Sequence, residues 1–237
     1  MRTITNDQAE LFAGKLRAKS GFSQSEPLNM EALLQKLNIL TAFKPLSSHF
    51  FGLSIKSRNE DCFILINSQT TKGRQNFTIA HELYHLFYDN NPIPHYCTEK
   101  DQSSNPSEKS ADLFASALLM PREGLLQHIT EEHLFNKKID IGTVIQMGQY
   151  YSVSHHALLL RLKKLNIISE NALNELRNYP IMETAKTLGF DPKLYKPTGE
   201  HRIIGDYGLL ARKLFEMDKI SEGHYLEFIH HITNDEN

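Results

Sequence analysis

The run His81-Glu82-Leu83-Tyr84-His85 has the residue types and spacing needed for hydrolysis at a metal ion. Two histidines four apart on a helix share a face, so both imidazoles can point at one ion. Glu82 lies about 100° round the helix from His81, which sets its carboxylate beside the ion rather than on it. From there it can take a proton from an attacking water and pass it to a departing amine. The flanking Phe77-Thr78-Ile79-Ala80 and Leu86-Phe87 make the helix largely apolar, hence buried. Two histidines and a glutamate on a buried helix need partners.

A catalytic zinc ion takes three protein ligands and keeps a fourth position open for water. The third ligand must come from another element, and Glu108 is the best candidate. It opens the helix Glu108-Lys109-Ser110-Ala111-Asp112-Leu113-Phe114-Ala115, whose Leu113, Phe114, Ala117 and Leu118 can pack against the first. Asp112, one turn on along the same face, can accept the free ring N–H of a liganding histidine. Considered without the motif helix, Glu108 is simply a favourable acid in a first turn and Asp112 a solvated residue. Glu99 and Asp101 compete for the ligand role from a polar stretch between prolines.

On two segments the chain resembles the ImmA/IrrE family of metallo-endopeptidases. One is Phe77-Thr78-Ile79-Ala80-His81-Glu82-Leu83-Tyr84-His85; the other is Glu108-x-x-Ala111-Asp112-x-Phe114-Ala115-x-x-Leu118-Leu119-Met120-Pro121. The resemblance covers roughly residues 5–125. It implies an α+β, zincin-like (gluzincin) peptidase core with a small β-sheet. It also implies zinc held by His81, His85 and Glu108, with Glu82 as the catalytic base. The implied substrate is a helix-turn-helix transcriptional repressor in a phage, mobile-element, stress or toxin–antitoxin circuit. Asp112 stands where the family most often has asparagine, matching the Glu-x-x-x-Asp arrangement of thermolysin-like proteases. Tyr84 stands where a small residue, often glycine, is usual.

The elements that must position these residues follow from pattern. Residues 3–19 read as an amphipathic helix, Pro27 opens a second through Leu37, and a first strand is expected at 39–43. Gly52–Ile55 and Cys62–Ile66 look like paired strands round a polar turn. The motif helix is expected over 75–88. A polar loop with Asn90-Asn91-Pro92, Pro94 and Ser103-Ser104-Asn105-Pro106 follows, with Ser107 as cap of the next helix. Pro121 starts a short helix. Residues 141–150 and 154–165, joined at Tyr151-Ser152-Val153 with Ser154 as cap, form a helix-turn-helix-like pair. The implied division is 1–128 peptidase, 129–168 helix-turn-helix-like region and 169–237 mostly helical extension.

Composition narrows the function classes. The chain has 237 residues, enough for a sizeable core. Its net charge of −2 provides no global field for nucleic acid. Arg161, Lys163 and Lys164 give the helix pair local positive charge, but the second helix opens with His155, His156 and Ala157, which suits docking better than DNA reading. Two cysteines, Cys62 and Cys97, are too few for a disulfide framework and fit a reducing compartment. With no apolar leader and no long apolar run, a cytoplasmic protein is expected.

Tyr88, His95, Tyr96 and His128 are candidates to stabilise an oxyanion. Cys97 reads either as a plain loop cysteine or as a redox or metal-inhibitory thiol. The neighbouring pairs His155-His156 and His230-His231 point to different helix faces and make poor metal sites. A competing function is a non-proteolytic zinc-containing regulator or antitoxin that binds DNA or a partner protein. The intact Glu82 favours hydrolysis, since a purely structural site needs no base.

Overall fold

The computed structural model describes residues 3–89, 95–98 and 105–233. Helix α1 (Asn6–Lys19) starts with a capping box, in which Thr5 accepts from the Gln8 N–H and Gln8 accepts from the Thr5 N–H. Helix α2 (Met30–Lys36) starts after Asn29, not at Pro27, because the Asn29 side chain accepts from the Ala32 N–H. Strands β1 (Ile39–Lys44), β2 (Phe50–Lys56) and β3 (Cys62–Asn67) follow.

The motif helix α3 (Lys72–Phe87) begins one turn earlier than expected, since Thr71 caps it. Its first turn is polar on the sequence but is packed, and Gly73 is the reason. A Cβ at Gly73 would lie 2.5 Å from Ser154 N and 2.6 Å from the Val153 carbonyl carbon. Only glycine allows that approach.

After α3, the stretch read as loop contributes strand β4 (His95–Thr98). Asn90, Asn91, Pro92, Pro94, Glu99, Asp101, Ser103 and Ser104 lie outside the described residues. Helix α4 (Pro106–Leu119) is capped by Asn105, not Ser107; the Asn105 side chain accepts from the Ser107 N–H at 2.9 Å. Pro106 opens the helix, where its missing N–H costs nothing. Short helices α5 (Arg122–Gln127) and α6 (Glu131–Asn136) lead to α7 (Ile141–Tyr151) and α8 (His155–Lys164), the expected pair, with Ser154 capping the second.

The tail holds α9 (Glu170–Arg177), α10 (Ile181–Thr187), β5 (Arg202–Ile204), α11 (Tyr207–Glu216) and α12 (Glu222–Thr233). The protein is α+β, with twelve α-helices and one five-stranded mixed sheet among the described residues.

The sheet order is β4-β2-β3-β1-β5; β1 and β3 run parallel and the other pairs antiparallel. One face, with Thr41, Ile64 and Ile66 fully buried, lies on the side of α3. On the other face Leu40, Phe63 and Leu65 line a cavity of about 770 Å³ together with Tyr207, Glu227 and His230. β5, which sequence pattern missed inside a helical tail, therefore completes one sheet edge. It is three residues long, too short for its alternation to register as a period.

Two buried arginines hold the C-terminal end of α4. Arg17 Nε donates to Leu118 O at 2.8 Å, and its Nη1 donates to Ser23 O and Glu26 O at 2.6 and 2.9 Å. Arg161 Nε donates to Met120 O at 3.1 Å, and its Nη2 pairs with Glu10. The bonds to Leu118 O and Met120 O satisfy carbonyls that a helix end leaves unpaired, and cations there suit the helix dipole. Burial, partly countered by the field of Tyr151, lowers the Arg17 pKa to about 10.

Arg161 is thus committed internally, which removes it from the surface charge expected of the helix pair. The pair is itself docked: Asn76 Nδ2 donates to Ser152 O at 2.9 Å, and His155 Nε2 donates to Leu176 O at 3.0 Å.

Replacing Arg17 with methionine orphans three carbonyls, and leaving even one buried group unsatisfied costs about 1–3 kcal/mol. Arg17→Met is expected to lower the free energy of urea unfolding by about 3 kcal/mol or more. A loss under about 1 kcal/mol would show that the clamp contributes little.

Candidate metal centre

The site lies where α3 and α4 cross. Ala80, Ala111 and Ala115 are fully buried. Tyr84, the bulky residue at a position usually small, is absorbed by an aromatic cluster. It stacks on Tyr88 (5.9 Å) and meets Phe114 at 5.8 Å, while Tyr88 stacks on Phe12 at 4.9 Å. That cluster joins α1, α3 and α4.

Within this apolar setting, His81, His85 and Glu108 converge, all nearly inaccessible. The two Nε2 atoms are 3.2 Å apart; Glu108 Oε2 is 3.2 Å from His81 Nε2, and Oε1 is 3.6 Å from His85 Nε2. Bonds of about 2.0–2.1 Å at tetrahedral angles put neighbouring ligand atoms about 3.3 Å apart. The donor set therefore suits a small tetrahedral ion, and the three residues together form a group able to hold one.

Each ring's outer nitrogen is held by a carboxylate. His81 Nδ1 lies 2.9 Å from Asp112 Oδ1, and His85 Nδ1 lies 3.1 Å from Asp89 Oδ2. A proton kept on Nδ1 leaves the Nε2 lone pair facing the centre, so these carboxylates orient both rings. Ser107, whose hydroxyl donates to Asp89, fixes that carboxylate in turn. Asp89 escaped the sequence reading, although its place four residues after His85 was a usable signal.

Electrostatics favour a cation here. Burial by itself would lower the His81 pKa, but the bonds to Asp112 and Glu108 and the field of Glu82 push it up to about 10. The same carboxylates that raise it favour a cation at this point, whether a proton or a metal ion.

Glu82 is completely buried, and the Ser54 hydroxyl donates to its Oε2 at 2.5 Å. Ser54 comes from β2, so the sheet holds the carboxylate from the side opposite α4. Nothing in the local sequence of β2 singles out Ser54; only the tertiary fold brings it to Glu82.

The oxyanion candidates fare differently. Tyr88 is absorbed in packing, with its hydroxyl donating to Phe12 O at 3.2 Å. His128 packs edge-on to Tyr150 and Tyr151. Tyr96 is 55% exposed on β4, available to a ligand from solvent. The side chain of His95 lies outside what the structure describes. The cavity on the far face of the sheet contains none of the metal-centre residues.

A family profile for the IrrE N-terminal-like domain, peptidase family M78, matches residues 35–163. That is more than half of the chain, and it spans α3, α4 and every polar residue just placed at their crossing. The chain belongs to the IrrE N-terminal-like peptidase family. Comparison with curated proteins finds no match. Membership in this peptidase family agrees with a buried His/Glu centre able to hold a metal. No helix among the described residues is long and apolar enough to cross a membrane.

The geometry predicts a ranking of metal affinities. Glu108→Ala, which removes a converging donor, should weaken metal binding most. Asp112→Ala and Asp89→Ala, which only release a ring, should each cost about 10–100-fold. Competition titration of the purified variants checks this; equal affinity in Glu108→Ala and wild type would overturn the ranking.

Proposed function

We propose that this chain is a zinc-dependent endopeptidase, in which His81, His85 and Glu108 bind the ion and Glu82 is the general base. The observation that carries the reading is Glu82, buried and gripped by Ser54 beside three converging donors. A site with only a structural duty has no use for a fixed carboxylate next to its ligands.

Bound zinc would polarise the scissile carbonyl and make water a better acid. Glu82 would accept the proton of the attacking water and deliver it to the amine nitrogen as the peptide bond breaks. Ser54 keeps the carboxylate in place through both transfers. Asp112 and Asp89 keep the rings in the tautomer that binds. We read the core as gluzincin-like: motif helix, then a second helix that brings Glu108 and Asp112.

The substrate of this reading is a protein, namely a helix-turn-helix repressor, in a phage, mobile-element, stress or toxin–antitoxin circuit. The compartment is the cytoplasm, in keeping with two free thiols, Cys62 and Cys97. Residues 1–128 form the peptidase unit. Residues 129–168 and 169–237 support it, and α7 and α8 serve docking, because the turn between them is packed on Gly73 and Asn76.

The deciding experiment incubates the zinc-loaded full-length protein with helix-turn-helix repressors as trial substrates and follows cleavage by mass spectrometry. Glu82→Gln should retain zinc yet cleave about 10²–10⁴-fold more slowly, because an amide keeps the shape but cannot act as a base. Near wild-type cleavage by that variant would remove Glu82 from the role. Undiminished zinc content in His81→Ala and His85→Ala would refute the ligand assignment.

A further inference from the structure

The far face of the sheet carries a feature that the metal chemistry does not use. Leu40 and Ala42 on β1 stand beside Phe63 and Leu65 on β3, and Ala42 stands opposite Ile203 on β5. Paired residues share a face of the sheet, so these side chains form one apolar floor across three strands. The floor belongs to the cavity of about 770 Å³, which Tyr207 of α11 and Glu227 and His230 of α12 also line. That volume falls within the roughly 300–1,000 Å³ of small-molecule sites, whose walls are mostly apolar with a few placed polar groups. Apolar walls need atoms against them to gain dispersion contacts. Water is a poor filling, since it seeks two to four polar partners. Here the floor's side chains are hydrocarbon, and the backbone groups of β1 and β3 pair with strands on both sides.

The polar groups of the lining say what the other end of an occupant must be. Lys44 ends β1, and His201 immediately precedes β5. The two strands run antiparallel with Phe43 opposite Arg202, so Lys44 and His201 meet at the same end of the floor. Both line the cavity and both are exposed. Among the described residues neither is paired with a carboxylate. Arg202 lines the cavity too, but its guanidinium is paired with Glu31 and lies over the Phe43 ring. Glu227, the one acid of the lining, stands apart on α12. The fitting occupant therefore has an apolar body and one negative end.

We propose that this cavity binds an amphipathic carboxylate, such as a medium-length acyl chain. Its body lies on Leu40, Phe63, Leu65 and Ile203, and its carboxylate at Lys44 and His201. Lys44 supplies a charge-assisted hydrogen bond and His201 a ring N–H. At an exposed rim such a pair adds little affinity. Burial of the chain supplies most of it, and the rim decides the sign of the head group. The cavity contains none of the metal-centre residues, so this site stands whether or not the metal reading does.

Titration calorimetry of the full-length protein tests this, with decanoate, octanoate, decan-1-ol and decyltrimethylammonium as probes. Decanoate should saturate a single site per chain. Octanoate, two methylenes shorter, should bind about tenfold more weakly. The alcohol and the ammonium, with the same body, should both bind more weakly than decanoate. Lys44→Glu should weaken decanoate at least about threefold and leave decan-1-ol within about twofold, because only the head group meets that residue. Ile203→Asp, which places a charge in the floor, should abolish binding of both. Circular dichroism verifies that Ile203→Asp is folded; if it is not, Lys44→Glu decides alone. Absence of saturable decanoate binding would overturn the site. An alcohol or ammonium that binds as tightly as decanoate would overturn the carboxylate. Unchanged decanoate affinity in Lys44→Glu would place the carboxylate elsewhere, the metal centre included, and overturn the proposal.

Discussion

Two imidazoles and a carboxylate held within 3.2–3.6 Å of one another inside an apolar crossing are under constant pressure to separate. Each would rather be hydrated, and desolvating them costs free energy that packing elsewhere must offset. The rest of the molecule can be understood as the means of keeping α3 and α4 at that distance. The Phe12–Tyr88–Tyr84–Phe114 aromatics wedge α1 against both helices at one end. At the other, Arg17 and Arg161 tie the last carbonyls of α4 to α1 and α8. The cap at Asn105 fixes where α4 begins and so the height at which Glu108 meets the histidines.

The sheet contributes from the opposite side. Its helix-facing surface carries the Ser54 hydroxyl that holds Glu82 and the Gly52 gap that lets α3 approach. Glu82 thus has a second support, from a strand, in addition to the helix it shares with both histidines.

How far the sequence disclosed this depended on the range of each interaction. The grouping of His81, Glu82 and His85 follows from helical periodicity, and Glu108 and Asp112 from the same rule applied to a second helix. Asp89 obeys that rule too and was available to it. Ser54, Arg17 and the interior role of Arg161 were not, because their partners lie far along the chain and their own surroundings look ordinary. Charge was the most misleading cue: Arg161 reads as surface charge on α8, yet it is spent on a carbonyl and on Glu10 in the interior. Among elements, the long helices were legible; the starts of α7 and α8 were too, but those of α2, α3 and α4 were not, since the caps at Asn29, Thr71 and Asn105 outcompeted proline and apolar period. The short β4 and β5 offered too few residues for alternation to show.

β5 joins β1 across more than half of the chain, and Arg161 reaches α4 from the far side of the helix pair. Ribosomes release a chain from its N-terminus, and domains begin to fold as they emerge. While the first 128 residues are out alone, β1 has an unpaired edge and α4 lacks one of its two arginine clamps. Such an edge is a ready template for wrong pairing. The crossing that gathers the histidines and Glu108 becomes fully braced only after the C-terminal region arrives.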